Sequence, residues 1–336
     1  MDLLPYEIAL KIASHIDDLP SLFAFVDALP RDFREKITNE RVLWESRILG
    51  GGRVPASCTM SAYRCCRLTN RRFDPGTMTP NSVAMIVGHR GAGKSVLVRD
   101  LLWWHRTVPY GCVMVNRRHA DAYRSCVPSN LVLHRYDPHA LEGFLKRQRK
   151  RQVAEPSGSF LVLDDVLSSR ELREDPGVRE LFLNGRCMRT TMLVAMQHGT
   201  SVPPELRGNT DYAFLFDERL PANRKRLFDN FASAVVPSME VFDHLMDNIP
   251  GTHACLVIDN RVGRGRRPED GVSYYIAKQD HAPFRTCSEA MWTWCETNPV
   301  PVPSSSSDDD DHHFASEMPR HSNDVSEDRG KSDRRP

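Results

Sequence analysis

The chain has 336 residues, 26% of them charged and 40% hydrophobic, with 45 lysines and arginines against 44 aspartates and glutamates. This composition is typical of a globular protein and excludes a wholly disordered or fibrous chain. No uncharged apolar run approaches the roughly 18 residues that span a bilayer, so the sequence predicts no membrane partner. The acidic opening residues predict that the chain is not secreted, and nine cysteines without paired spacing predict reduced thiols in an intracellular compartment.

The small net charge of +1 hides an uneven distribution. Residues 51–300 carry 34 basic and 26 acidic side chains, whereas the two ends of the chain are acidic. A basic central region is compatible with a nucleic-acid partner.

The first predicted element is a small all-α module over residues 1–49. Leu4, Ile8 and Ile12 recur at helical spacing, and two further apolar stretches follow them. Residues 50–80 are predicted to be a linker, because a Gly/Pro/Ser-rich break opens them.

The all-α module resembles an F-box. The family pattern is matched by Leu4, Pro5, Glu7, Ile8, Asp18, Leu19 and Trp44. This resemblance implies docking to the Skp-type adaptor of a cullin ubiquitin ligase through residues 1–49. A plain three-helix cap is the alternative.

Residues 81–296 are predicted to form one α/β domain. Short β-rich runs occur at residues 82–88, 112–116, 131–136, 160–165, 191–197, 212–217, 254–259 and 273–278. Helical stretches separate the early runs, which predicts a mostly parallel sheet with helices on both faces. The acidic, serine-rich residues 297–336 are predicted to be a disordered tail.

A complete phosphate-binding motif follows the first predicted strand. The sequence GHRGAGKS matches G-x-x-x-x-G-K-[ST], and the nucleotide-binding residues that it predicts are Gly88, His89, Arg90, Gly91, Ala92, Gly93, Lys94 and Ser95. Glycines allow backbone N–H groups to converge on phosphates, and a helix N-terminus adds a favourable dipole. We expect Lys94 to reach the β- and γ-phosphates of ATP and the Ser95 hydroxyl to ligate Mg²⁺.

Two later strands end in residues suited to hydrolysis. Asp164 and Asp165 end one apolar strand and Gln197 ends another. Behind a P-loop, Asp164 is expected to hold Mg²⁺ through water and Asp165 to polarise the attacking water. Gln197 is a candidate sensor of the γ-phosphate, as in P-loop ATPases with an additional strand between the two Walker strands (the ASCE type). A solvated strand tip and a surface glutamine are the alternatives.

These motifs together resemble the DNA-packaging ATPases of poxviruses and other nucleocytoplasmic large DNA viruses, in the FtsK–HerA superfamily. The resemblance covers about residues 81–260 and includes the Asn-Gly-Arg segment and the Pro-Pro…Arg-x-Asn-x-Asp-Tyr run. It implies an ATP-hydrolysing homo-oligomeric ring that moves double-stranded DNA, independently of sequence, into a viral capsid through its portal. The family usually has His where this chain has Cys187.

The resemblance also implies an arginine that reaches the neighbouring subunit's nucleotide. Arg207 is the first candidate and Arg186 the second, with an ordinary salt bridge as the alternative for either. The implied location is the host cytoplasm or nucleus, in the viral factory, or the virion.

Three basic stretches are candidates to grip DNA phosphates: residues 64–72, 146–151 and 261–267. For residues 146–151, a solvated helix face is an equally good interpretation. Two other functions remain open from the sequence: an F-box-type adaptor whose P-loop domain only binds nucleotide, and a small-molecule P-loop kinase.

Overall fold

The computed structural model describes residues 9, 13, 25–26, 28–38, 71–154, 158–199, 202–236, 238–249, 251–261 and 268–299. Most of the predicted F-box-like module and linker, and nearly all of the predicted tail, lie outside these residues. Within residues 1–49, the described part includes one helix, α1 (Arg31–Thr38).

The chain divides into two units. One, here called the P-loop unit, comprises Asp74–Phe214 and Ala277–Pro336. The other, the second unit, comprises Met1–Phe73 and Leu215–Ile276. Each unit is therefore built from two separate stretches of sequence.

The P-loop unit contains a parallel sheet. Its strands are β1 (Val83–Val87), β2 (Tyr110–Val115), β3 (Val132–Leu133), β4 (Ser159–Asp164), β5 (Thr190–Met196) and the start of β6 (Tyr212–Phe216), inside which the unit boundary falls. The strand order is β3-β2-β4-β5-β1-β6, and the pairs along β3-β2-β4-β5-β1 are parallel. Every residue of β1–β5 is buried, which is typical of a sheet covered on both faces. The predicted α/β class with a mostly parallel sheet is confirmed.

One predicted strand is much shorter in the structure. The apolar run at residues 131–136 predicts an extended segment, but β3 covers only Val132–Leu133. The side chain of Asp137 accepts hydrogen bonds from the backbone N–H groups of His139 and Ala140, at 2.8 and 3.1 Å. This cap begins a helix early and ends the extended segment.

Helices connect the strands of the P-loop unit. They are α2 (Lys94–Trp104), α3 (Asp121–Arg124), α4 (Pro138–Ala154), α5 (Ser169–Glu174), α6 (Pro176–Asn184), α7 (Pro204–Arg207) and α10 (Glu289–Thr297). Local sequence explains the start of α6, because Asp175 caps the N–H groups of Gly177 and Val178 and proline occupies the first turn. On α2, Leu97, Val98 and Leu101 are completely buried and fix this helix on the core.

The second unit has an antiparallel pair of strands, β7 (Ala254–Asp259) and β8 (Val272–Ile276), with Cys255 opposite Tyr275. Its other elements include α8 (Pro221–Leu227), a π-helical turn (Phe228–Ala232) and α9 (Met239–Asp247). No helix among the described residues is long and apolar enough to cross a membrane.

Candidate nucleotide-binding site

The loop Gly88–Gly93 joins β1 to α2 in a shape that leaves its backbone open to a ligand. Gly91 and Gly93 have φ angles of 81° and 108°, a region that strains any other residue. A Cβ atom added to Gly91 would meet nothing within 4 Å. Gly93 caps α2 without a side-chain hydrogen bond, so the first N–H groups of the helix are available to an anion. This geometry suits a phosphate.

Lys94 lies across the loop at the start of α2. Its Nζ donates to the carbonyl oxygens of Gly88 and His89, at 2.8 and 3.1 Å. Burial lowers the pKa of Lys94, and the nearby carboxylates of Asp165 and Asp164 oppose this decrease. The ammonium group therefore sits between the loop and both acidic residues.

Ser95 and Asp164 are brought into direct contact, although 69 residues separate them. The Ser95 hydroxyl donates to Oδ2 of Asp164 at 2.7 Å. Hydroxyl and carboxylate oxygens are the hard ligands that Mg²⁺ prefers, so the pair fits that ion. Within the described part of the chain, no group of three His, Cys, Asp or Glu side chains could hold a metal by itself. Phosphate oxygens and water would therefore have to complete the coordination.

Tyr123 is a site residue that sequence reasoning missed. This tyrosine is completely buried in α3, and its hydroxyl donates to the same Oδ2 atom of Asp164 at 2.6 Å. Burial, with the charge of Asp164, raises the pKa of Tyr123 well above its ordinary value, so the hydroxyl remains a donor. Because Tyr123 precedes Asp164 by 41 residues and belongs to no motif, no local pattern identifies it.

Asp165 and Gln197 meet beside this pair, where β4 and β5 end. Asp165 has a left-handed backbone with φ of 58°, and its N–H donates to the Ala195 carbonyl at 2.9 Å. Nε2 of Gln197 donates to Oδ2 of Asp165 at 2.5 Å. Since β5 pairs with both β1 and β4, it brings Gln197 to the edge of the sheet that holds Lys94 and Asp164.

Arg186 lies away from this group of residues. It forms an ion pair with Asp211, a buried residue immediately before β6. The other carboxylate oxygen of Asp211 accepts from the N–H of Val83 at 2.8 Å, at the start of β1. Arg186 is thus at the amino ends of the strands, opposite the edge that carries Lys94. Arg207 ends α7, four residues before Asp211.

Replacing Arg186 by alanine is expected to lower the free energy of unfolding by about 1–3 kcal/mol, because Asp211 would lose a charged hydrogen-bond partner. Thermal or denaturant unfolding of the purified variant measures this change. A matched control is Arg179→Ala, which removes a 3.0 Å ion pair to Glu205 between two partly exposed side chains and should cost less than about 1 kcal/mol. Unchanged stability with lost ATP hydrolysis would instead favour a role for Arg186 at a neighbouring nucleotide.

The basic stretch at residues 146–151 is largely engaged within the chain. Lys146 pairs with Glu142 at 2.7 Å and Arg149 with Glu180 at 2.5 Å. The guanidinium groups of Arg147 and Arg151 lie over the Tyr110 ring, 5.1 and 5.4 Å from its centre. These contacts favour the helix-face interpretation over DNA binding. In the other two basic stretches, residues 64–70 and 262–267 lie outside the described residues.

Comparison with known proteins gives viral relatives. No family model matches the chain. Protein 075L of Invertebrate iridescent virus 6 is 32% identical over 197 residues, 57% of this chain and 76% of that protein. Protein 088R of Invertebrate iridescent virus 3 is 34% identical over 206 residues, 60% of this chain and 78% of that protein. Protein L437 of Acanthamoeba polyphaga mimivirus is 31% identical over 202 residues, 56% of this chain and 70% of that protein.

Solved structures give more distant similarities. The genome packaging NTPase B204 from Sulfolobus turreted icosahedral virus 2, in complex with sulfate, is 15% identical, with a TM-score of 0.43 over 61% of this chain and 100% of that one. EssC (ATPases 2 and 3) from Geobacillus thermodenitrificans is 12% identical, with a TM-score of 0.41 over 60% of this chain and 41% of that one. The viral relatives identified by sequence have a higher sequence identity to the chain than these two solved structures. The chain belongs to the family of viral proteins that includes 075L, 088R and L437.

Proposed function

We propose that this protein hydrolyses ATP and uses the energy to move double-stranded DNA into a viral capsid. The observation that carries the ATPase part is the meeting of five side chains at one edge of the sheet. They are Lys94, Ser95, Asp164, Asp165 and Gln197, which lie where β1, β4 and β5 end.

In the proposed mechanism, the backbone of Gly88–Gly93 and the N-terminus of α2 bind the β- and γ-phosphates. Lys94 replaces its hydrogen bonds to the loop carbonyls with hydrogen bonds to phosphate oxygens, and its positive charge neutralises the negative charge of the phosphates. Ser95 and Asp164 would hold Mg²⁺, with Tyr123 fixing the carboxylate through its 2.6 Å hydrogen bond. When bound, this ion neutralises charge on the phosphates.

Asp165 is the proposed acceptor of a hydrogen bond from the attacking water. Its left-handed backbone and the 2.5 Å hydrogen bond from Gln197 fix the direction of the carboxylate. A carboxylate held in place orients water for attack on the γ-phosphate, and positioning is the main contribution of proteins to this chemistry. Gln197, at the end of β5, would then act as the sensor of the γ-phosphate through its side-chain amide.

The DNA part of the proposal is supported by the sequence motifs, and its viral setting by the viral relatives. The motifs resemble those of DNA-packaging ATPases, and residues 51–300 have an excess of basic side chains. We therefore propose a homo-oligomeric ring at the capsid portal, in which Arg207 is the first candidate to reach a neighbour's γ-phosphate. The alternative F-box-type adaptor depends on Leu4, Pro5 and Ile8, which lie outside the described residues, and stays a sequence-based prediction.

The test is steady-state ATP hydrolysis with and without long duplex DNA at low salt, with Lys94→Ala as the control. DNA should raise the wild-type rate, and the Lys94→Ala rate should stay at background in both conditions. ATP hydrolysis that DNA does not change, at protein concentrations high enough for assembly, would contradict the translocase part and leave an ATPase. No hydrolysis under any condition would contradict both parts.

A further inference from the structure

A cavity of about 440 Å³ lies beside α2, within the P-loop unit. Val96 and Arg99 of α2 line one side, and Ser125 and Cys126, which follow α3, line another. The remaining wall is residues 278–284, here called the strap. A volume of this size is typical of small-molecule sites.

The strap is fastened to α2 by a buried carboxylate. Asp100 has no exposed surface, and its two oxygens accept from the backbone N–H of Lys278 at 2.8 Å and from Nε2 of His281 at 2.6 Å. The His281 ring also stacks on Trp103, with 4.5 Å between ring centres and 14° between planes. This end of the strap is therefore fixed by both polar and aromatic contacts.

The other end of the strap is fixed beyond the cavity. The N–H and the hydroxyl of Thr286 both donate to the carbonyl oxygen of Cys126, each at 2.8 Å. Thr286 is completely buried. With both ends anchored, the cavity is built into the fold, and a ligand would enter without first ordering its wall.

The cavity adjoins the residues proposed to hold the phosphates and Mg²⁺. Val96 directly follows Ser95, and Arg99 lies about one helical turn further along α2. Ser125 follows Tyr123 by two residues, and the Tyr123 hydroxyl contacts Asp164 at 2.6 Å. A ligand whose phosphates lie on Gly88–Ser95 can thus extend its remaining part into this space.

The lining suits a flat, polar ring system. Val96, Pro283 and Phe284 provide apolar surface against which a ring can pack. The Nε atom of Arg99 is buried and has no hydrogen-bond partner within the described part of the chain. The Nε atom itself faces the protein, but the Arg99 side chain is partly exposed and lines the cavity, so its guanidinium charge favours oxygen atoms and ring nitrogens of a ligand there.

We propose that this cavity binds the base and ribose of the nucleotide whose triphosphate lies on Gly88–Ser95. This inference rests on the proposed function, since it assumes a nucleotide at the P-loop. It adds residues that the P-loop motif does not contain: Arg99, Ser125 and the strap.

The test compares calorimetric binding of Mg-ATP with that of Mg-tripolyphosphate, which has no base or ribose. Ser125→Trp fills the cavity from an exposed position, and Ser129→Trp is the matched control, also exposed and outside the lining. Wild-type protein should bind ATP more tightly than tripolyphosphate. Ser125→Trp should weaken ATP binding by about tenfold and leave tripolyphosphate binding unchanged, and Ser129→Trp should change neither.

Equal wild-type affinity for both ligands would overturn the cavity proposal while the proposed ATPase stands. The cavity proposal would also be overturned if Ser125→Trp left the ATP affinity at the wild-type value, or weakened the binding of ATP and tripolyphosphate equally. Wild-type protein that binds neither ligand would contradict the P-loop site itself, and the cavity proposal with it.

Discussion

Replacing Asp165 by asparagine is expected to lower the turnover number for ATP hydrolysis by about a hundredfold to ten-thousandfold, the range for loss of a positioned base. Asparagine has the same size and can still accept the hydrogen bond from Gln197. It also tolerates the left-handed backbone at this position, where φ is 58°. The expected defect is therefore chemical, and the fold and ATP binding should be retained.

Single-turnover hydrolysis, calorimetric ATP binding and thermal unfolding together test this expectation. Asp121→Asn is the matched control, because it makes the same chemical change at an exposed residue that pairs with Arg124 at 2.9 Å. That variant should hydrolyse ATP at the wild-type rate. Wild-type turnover by Asp165→Asn would remove Asp165 from the mechanism.

Replacing Lys94 by alanine is expected to weaken ATP binding by about ten- to a hundredfold, the equivalent of losing charged hydrogen bonds. The Nζ atom is close to the loop carbonyls that would face the phosphates, and to Asp164 and Asp165. Burial lowers the pKa of this amine, which means that the fold disfavours its charge.

Calorimetry with Mg-ATP measures this effect directly. Lys150→Ala provides the comparison, since this lysine is exposed near the end of α4, outside the site. Its ATP affinity should equal that of the wild type. If Lys94→Ala binds ATP as tightly as Lys150→Ala, the loop Gly88–Gly93 is not the phosphate site.

Much of the fold could be predicted because its signals are local. Each predicted strand is present, since buried parallel strands appear as short apolar runs between helical stretches. The P-loop could also be predicted from the sequence, because its glycines and Lys94 lie within one short segment. The apolar runs by themselves do not reveal the strand order, because pairing depends on contacts that are distant in sequence. The placement of β5 between β1 and β4 was expected only from the similarity of the motifs to P-loop ATPases of the ASCE type.

The supporting residues of the site were beyond sequence reasoning for the same physical reason. Tyr123 reaches Asp164 over 41 residues, and Asp100 reaches His281 over 181. Neither contact leaves a spacing pattern in the chain. Arg186 is paired with Asp211 at the amino ends of the strands, which no spacing in the sequence indicates. Its contact with a neighbouring subunit's nucleotide stays a prediction.

The contacts of Asp100 also bear on how the protein folds during synthesis. Its partners Lys278 and His281 are synthesised long after α2. Thr286, whose hydroxyl donates to the Cys126 carbonyl, is likewise synthesised long after Cys126. Until then a carboxylate destined for complete burial has neither partner. The P-loop unit therefore cannot reach its final packing until residues 277–299 are available, although its sheet is encoded much earlier. Interrupted synthesis would yield a chain with a complete phosphate loop but an unfinished core.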